Sequence, residues 1–305
     1  MISALRSAGC SINDIAQIMK RDRSTIYREL NRNATDTPKG PIYCVSKAQE
    51  KRNGRLRRSR RGAHHGEEDH VLVRKLLEAQ WSPEQIADTL RRLGELQISY
   101  QTIYRYVRVD WKAGDSLWKE LRRRYKRRKR HYGLERRGRM QGKRMIDDRP
   151  AAVEERQEVG HWELDTVQGA SGEKPCVVTL VERVTGVLLV EKVADKTVKS
   201  VNRALIRAIR RSPLPVLTIT ADNGTEFHGY RKVEVATGVT IYFARPYHPW
   251  ERETNENTNG LLRQYWPKGS SMAGLTQAKC NAVSYKINTR PRKRHSYFSP
   301  LQLVN

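Results

Sequence analysis

Apolar residues recur at helical spacing through the first third of the chain and give way to strand-like runs after about residue 150. Ile12, Ile15, Ala16 and Met19 fall on one helical face. Ser11, with Asp14 three residues later, marks the start of that helix. After the polar break Lys20-Arg21-Asp22-Arg23, a second helix begins near Ser24 with Ile26 and Leu30 inward. Two short helices joined by a tight turn form the helix-turn-helix pattern, whose second helix enters the DNA major groove. Arg23, Ser24, Thr25 and Arg28 are then the expected DNA-facing residues. The pattern recurs at Ser82-Pro83-Glu84-Gln85-Ile86-Ala87-Asp88-Thr89-Leu90, with a Ser cap, Pro at the first helical position and Gln three after the cap. Ser99 to Val107 follows as its second helix. The tetrad Thr-Ile-Tyr-Arg occurs at 25–28 and again at 102–105, which places Gln101, Thr102 and Arg105 on a second DNA-reading face.

Beyond residue 150 the period changes. Cys176–Glu182 and Val187–Val193 flank Thr185-Gly186 and read as a hairpin. Val198–Arg210 reads as an amphipathic helix, Val216–Ala221 as a buried strand and Val239–Phe243 as another. Helices are expected over about Glu253–Tyr265 and Gln277–Asn288. Three antiparallel strands, a helix, then two further strands with covering helices describe an α/β sandwich. The expected organisation is multidomain: helix-turn-helix modules at 1–50 and 70–110, basic linkers at 51–69 and 111–150, and an α/β domain at 151–305.

Composition sharpens this. The chain has 305 residues and a net charge of +26, from 59 Lys+Arg against 33 Asp+Glu. Such an excess points to a polyanion, because each neutralised phosphate releases counterions. Residues 51–62 carry no acid, and 122–144 hold thirteen Lys/Arg and one acid, Glu135. Arg57, Arg58, Arg127 and Arg128 in these runs are expected to contact phosphates without sequence choice. The four cysteines form no C-x-x-C pair, so reduced thiols are expected rather than a zinc site or disulfide framework. No apolar run is long enough for a membrane span, and no signal sequence is evident. A cytoplasmic, nucleoid-associated location follows, with no membrane partner and no small-molecule substrate.

Three carboxylates stand out. Asp165 lies in Gly160-His161-Trp162-Glu163-Leu164-Asp165-Thr166-Val167. Asp222 ends the apolar run 216–221 and precedes Asn223-Gly224. Glu256 follows with 33 residues between and lies in Asn255-Glu256-Asn257-Thr258-Asn259-Gly260. Brought together, three acids would resist ionising. Divalent metal removes that penalty, and hard oxygen ligands suit Mg²⁺. Two ions so held can act on either side of a phosphodiester. Arg252, Glu256 and Arg263 share one helix face by spacing, so arginines flank the acid and can hold phosphates.

These residues resemble the transposases of the bacterial insertion-sequence family thirty, within the DDE superfamily. The likeness runs along nearly the whole chain. It is densest at Asp148–Asp165, at Thr220-Ala221-Asp222-Asn223-Gly224-Thr225-Glu226-Phe227, and from Pro249-Trp250 to Pro267-Lys268-Gly269. Thr254–Tyr265 and the tail Asn288–Arg294 are the most specific. The resemblance implies helix-turn-helix modules fused to a ribonuclease-H-like catalytic domain. It assigns the catalytic and metal-holding triad to Asp165, Asp222 and Glu256, on the first strand, the end of the fourth strand and a helix at the sheet edge. It implies Mg²⁺ (or Mn²⁺) as cofactor, two ions in number, and action on double-stranded DNA at terminal inverted repeats and at a target. It further implies assembly as a dimer or higher multimer, with Lys268 among the DNA contacts. The chain departs from the family pattern in three places: it begins inside the usual first helical region, Leu164 stands where a small residue is common, and Glu253 replaces a usual glycine. Leu164 is expected to crowd the site.

The expected chemistry is in-line phosphoryl transfer in two stages, hydrolysis that frees a 3′-hydroxyl and then attack by that hydroxyl on DNA. No covalent enzyme intermediate is required. His161, His228 and His248 read as structural or DNA-contacting. Two rivals are a DNA-binding regulator with an inert C-terminal domain and a ribonuclease H. The retained acids oppose the first, and the duplicated DNA-reading modules oppose the second.

Overall fold

The structure, a computed structural model, describes residues 1–38, 40–59, 65–122, 142–246 and 248–304. Its contacts divide the chain into two compact units, Met1–Gly66 and Glu67–Asn305.

In the first unit, α1 (Ile2–Ser7), α2 (Ile12–Ile18) and α3 (Arg23–Asn33) enclose Ile15, Ala16 and Ile26. Ser11 and Asp14 cap α2 reciprocally, as their spacing implies. The cap of α3 is Asp22, whose carboxylate accepts the Ser24 N–H at 2.7 Å. A two-stranded antiparallel ribbon, β1 (Ala34–Thr37) with β2 (Gly40–Tyr43), leads into α4 (Val45–Ser59). Residues 51–59, expected as linker, are therefore helical. Lys51 donates to the Ala34 carbonyl, and Arg55 donates to Asn33 Oδ1 at 2.7 Å. These contacts tie the basic run to the end of α3.

The second unit opens with α5 (Glu67–Glu78), α6 (Pro83–Leu93) and α7 (Tyr100–Lys112). They pack around Val73, Leu77, Ile86, Leu90, Ile103 and Val107. Ser82 and Gln85 form a reciprocal cap on α6, and Gly94 ends it with φ 72°. After α8 (Ala151–Glu155) come β3 (His161–Gln168), β4 (Cys176–Glu182), β5 (Leu188–Val193), α9 (Val198–Arg210), β6 (Thr218–Ala221), α10 (Tyr230–Thr237), β7 (Thr240–Phe243), α11 (Glu253–Leu262) and α12 (Gln277–Asn288). The sheet order is β5-β4-β3-β6-β7. The first three strands are antiparallel, and β6 and β7 join in parallel. This is the ribonuclease-H-like arrangement that the resemblance implies.

Strand alternation separates two cores. Trp162, Leu164, Val178, Leu180, Ile219 and Phe243 face α9 and α10. Val167, Val177 and Val181 face α11 and α12 with Leu262, Trp266 and Ile287. Leu164 is fully buried on the α9 side, so it does not crowd Asp165, its neighbour on the opposite face. Residues 142–150, also expected as linker, attach to the sheet. Arg144 O accepts the Phe243 N–H at 2.9 Å, and Met145 bridges Phe243.

The three-helix module packs on the catalytic domain through buried polar contacts. Arg290 is 1 % exposed and donates to Gln264 Oε1 at 2.9 Å, to Gln80 Oε1 at 3.1 Å and to the Tyr265 hydroxyl. Gln85 donates to the Pro291 carbonyl at 2.7 Å, and Lys293 pairs with Glu84. The four cysteines are free thiols. No helix among the described residues is long and apolar enough to cross a membrane.

Candidate active site

Asp165 sits on β3 opposite Thr179 of β4, and Asp222 follows the last residue of β6. Because β3 and β6 run parallel side by side, both aspartates emerge at the same end of neighbouring strands. One guanidinium joins them: Arg252 reaches Asp165 Oδ2 at 3.7 Å and Asp222 Oδ2 at 3.6 Å. It also donates to the Leu164 carbonyl at 3.3 Å. Asp222 Oδ1 accepts the Gly224 N–H at 2.9 Å, while Asp165 accepts from Thr166 N and from Asn259 Nδ2, each at 2.8 Å.

Burial pushes the Asp165 carboxyl above its usual range. Asp222 pushes the same way, and Arg252 opposes both. In the free chain the Arg252 guanidinium is the cation that faces both carboxylates.

Glu256 lies on α11 one turn after Arg252 and three residues before Asn259, both of which touch Asp165. Spacing puts it on the same helix face. Its side chain is exposed, and it makes no ion pair or hydrogen bond among the described residues. No group of three His, Cys, Asp or Glu side chains among those residues is gathered to hold a metal ion. The two aspartates thus converge, and the Glu256 carboxylate does not join them in this conformation. The donor chemistry nonetheless fits a hard divalent cation. Two carboxylates stand together, the buried Asn259 Oδ1 beside Asp165 has no partner, and the helix that carries Glu256 packs on β3.

The expected DNA contacts divide into several groups. Arg23, Thr25, Gln101, Arg105 and Lys268 are exposed. Ser24 and Arg28 are exposed but engaged with each other, Arg28 donating to Ser24 Oγ at 2.8 Å. Thr102 is half-buried, and its hydroxyl shares a 2.9 Å hydrogen bond with the capping Ser99. Arg263 donates to the carbonyls of Gln168 and Trp266, and burial lowers its pKa while Asp165 raises it. Arg57 and Arg58 lie in α4, and Arg127 and Arg128 lie outside the described residues. Of the histidines, His161 is buried between Thr218 and Glu158, which is a structural role.

Three residues escaped the sequence reading. Glu163 is 0 % exposed, paired with Arg183, and accepts the Asn255 N–H of α11. Asn259 holds Asp165. Glu226 is buried beside Asp222 across Gly224, where a Cβ would meet Glu226 Oε2 at 2.6 Å and Asp222 Oδ1 at 2.9 Å. Burial raises the Glu226 pKa, but Lys196 at 2.9 Å and the Thr166 hydroxyl outweigh it and hold the carboxyl below its usual range. The only advance signal for Glu163 and Glu226 was their place inside the two acid-bearing runs.

The chain is similar to known proteins along most of its length. Residues 155–249 match the integrase core domain family, and residues 1–33 match a helix-turn-helix domain family. The transposase for insertion sequence element IS4351 from Bacteroides fragilis is 36% identical over 98% of this chain and 91% of its own. The transposase InsI for insertion sequence element IS30A from Escherichia coli strain K12 is 35% identical over 99% of this chain and 81% of its own. A chain of the simian T-cell lymphotropic virus intasome in complex with a PP2A regulatory subunit gives a TM-score of 0.40, at 18% identity over 48% of this chain and 54% of that one. The chain belongs to the IS30 family of DDE transposases, enzymes that bind DNA and catalyse transposition with divalent metal.

Proposed function

We propose that the chain recognises the terminal inverted repeats of its mobile element and performs both DNA strand cleavage and strand transfer. Asp165 and Asp222 form the core of its metal site, and Glu256 completes it. Two Mg²⁺ ions, replaceable by Mn²⁺, would supply activation of the attacking oxygen and neutralisation of the leaving one. The observation that carries the reading is the convergence of Asp165 and Asp222 on the Arg252 guanidinium beneath α11.

The chain's own groups do the remaining work. Arg23, Thr25 and Arg28 of α3, with Gln101 and Arg105 of α7, read the element end from two modules. Lys268, Arg263 and the basic runs hold phosphates. Asp165 and Asp222 would hold the metal, and Arg252 would then turn from them to the scissile phosphate. In the first stage water attacks phosphorus, the P–O3′ bond breaks, and a free 3′-hydroxyl results. In the second stage that hydroxyl attacks a phosphodiester of the target, forming a new P–O bond and releasing the target's own 3′-hydroxyl. The first step hydrolyses one phosphodiester, the second exchanges one for another, and neither consumes a protein nucleophile. Assembly as a dimer or multimer on paired ends, at the nucleoid in the cytoplasm, fits this role.

The test is a labelled duplex carrying one inverted repeat, incubated with the purified full chain and Mg²⁺. Specific nicking at the end, absent in Asp222→Asn, supports the proposal. Tight binding without nicking under any divalent metal points to a regulator instead.

A further inference from the structure

The same helix that faces the aspartates has a second charged feature on its other side. A cavity of about 250 Å³ is lined by Arg156, Arg292, Lys293 and Arg294, with Glu253 as its one acid. Glu253 stands about 100° round α11 from Arg252, so the cavity and the aspartates lie on different faces of the helix. Roughly 10 Å, the thickness of one helix, separates them.

The cations here are under-neutralised. Lys293 is committed to Glu84 at 2.7 Å, and Arg156 reaches Glu253 only at 3.9 Å. Arg292 and Arg294 have no carboxylate within ion-pair distance among the described residues. Arg292 donates to the Ile287 carbonyl at 3.0 Å, and Arg294 donates to His295 Nε2 at 2.9 Å. Burial and the neighbouring Arg290, Arg294 and Arg122 push the Arg292 pKa down to about 10. His295 is likewise held below its usual range by burial and by Arg294 and Arg292, which suits its role as the acceptor from Arg294. The backbone is shaped around this arrangement: Gly186, with φ 75° in the β4–β5 hairpin, lies against Arg294, and a Cβ there would fall 2.7 Å from its Nη2. Four cations against the single lining acid Glu253 leave the cavity positively charged, and rigid guanidinium groups so placed suit an anion that arrives from outside.

We propose that this cavity is a phosphate-binding site, distinct from the aspartate site, that takes one backbone phosphate of the DNA on which the enzyme acts. Rigid guanidinium forks match phosphate geometry, and no base edge is read, so the contact is independent of sequence. The inference rests on the DNA-processing role proposed above. It adds an anchor across α11 from the reacting bond, which fixes how the strand crosses the helix that carries Glu256.

The test uses the full chain in EDTA, so that binding is read without cleavage. Anisotropy of a labelled inverted-repeat duplex and of a scrambled duplex is followed against salt for the wild type, Arg292→Gln/Arg294→Gln and Arg294→Gln. The double substitution is expected to weaken both duplexes alike, by on the order of tenfold, and to lower the salt slope by about 1, the value for one lost phosphate contact. Arg294→Lys is expected to retain most of the slope. Unchanged affinity and slope in the double variant, or a loss confined to the inverted repeat, overturns the proposal. If the double variant does not fold, the exposed Arg294→Gln decides by the same two readings at smaller amplitude. Failure of the parent reading looks different, because the wild type then binds but never nicks in Mg²⁺ while the salt slopes remain readable.

Discussion

The Glu163 carboxylate accepts the backbone N–H of Asn255 at 2.7 Å, so the strand that carries Asp165 also holds the first turn of the helix that carries Glu256. Arg252, the residue before α11, makes no side-chain cap. Glu163 therefore caps the helix from the sheet, and its other oxygen meets Arg183 at 3.3 Å. Burial raises its pKa, Arg183 and the Asn255 N–H oppose that shift, and the contact joins two of the three acids. Glu163→Ala is expected to destabilise the second unit by about 1–3 kcal/mol, because it leaves the Asn255 N–H unsatisfied and removes one of the two carboxylates that Arg183 meets, Glu154 being the other. Urea unfolding followed by tryptophan fluorescence measures this. Glu163→Gln keeps an acceptor for Asn255 and is expected to lose less.

Arg252 occupies the place where a divalent cation would neutralise Asp165 and Asp222. Its removal is expected to lower the Mn²⁺ concentration for half-saturation by on the order of tenfold, since one nearby unit charge exceeds ~1.4 kcal/mol at an effective dielectric of 20. Isothermal titration of Arg252→Gln against the wild type reads the shift. Unchanged or weaker Mn²⁺ binding opposes the competition.

The raised Asp165 pKa carries a sign for stability. A carboxyl that holds its proton more tightly when folded favours the fold below its unfolded pKa, and that contribution fades as pH rises through the folded value. Without metal at neutral pH, Asp165→Asn is thus expected to melt above the wild type, and the gap is expected to close as the solution is acidified. Mg²⁺ at 100 times its Kd is expected to add about 2.7 kcal/mol to the wild type and little to the variant. Calorimetric scans across pH, with and without Mg²⁺, check both statements.

Arg290 joins Gln80 of the three-helix module to Gln264 and Tyr265 of the catalytic domain. Arg290→Met leaves these buried partners unsatisfied, at about 1–3 kcal/mol each. Residues 67–121 are expected to melt apart from the sheet, giving two calorimetric transitions where the second unit of the wild type gives one.

Much of this architecture was legible in advance because its elements bury apolar residues with a clean period. Helices α9 and α12 occupy the spans read from sequence, and four of the five sheet strands stand within two residues of theirs. The β1–β2 ribbon was not legible, because Ala34 to Tyr43 holds two prolines and no apolar alternation. Helix α4 was hidden by its charge, since its order rests on Lys51 and Arg55 meeting groups at the end of α3. In the site, Asp222 stood out at the end of an apolar run, and Asp165 within the run 160–167. Glu163 did not, because Trp162-Glu163-Leu164-Asp165 alternates like a strand with one wet face, and only the packing of α11 shows that face to be covered.

Anomalous scattering from Mn²⁺ soaked into crystals of the full chain bound to an inverted-repeat duplex tests the metal site most directly. The account predicts Mn²⁺ peaks ligated by Asp165 and Asp222, with the Glu256 carboxylate turned in from α11 to the same ions and Arg252 moved onto a DNA phosphate. Peaks that leave Glu256 in solvent, with Arg252 still between the aspartates, would contradict it.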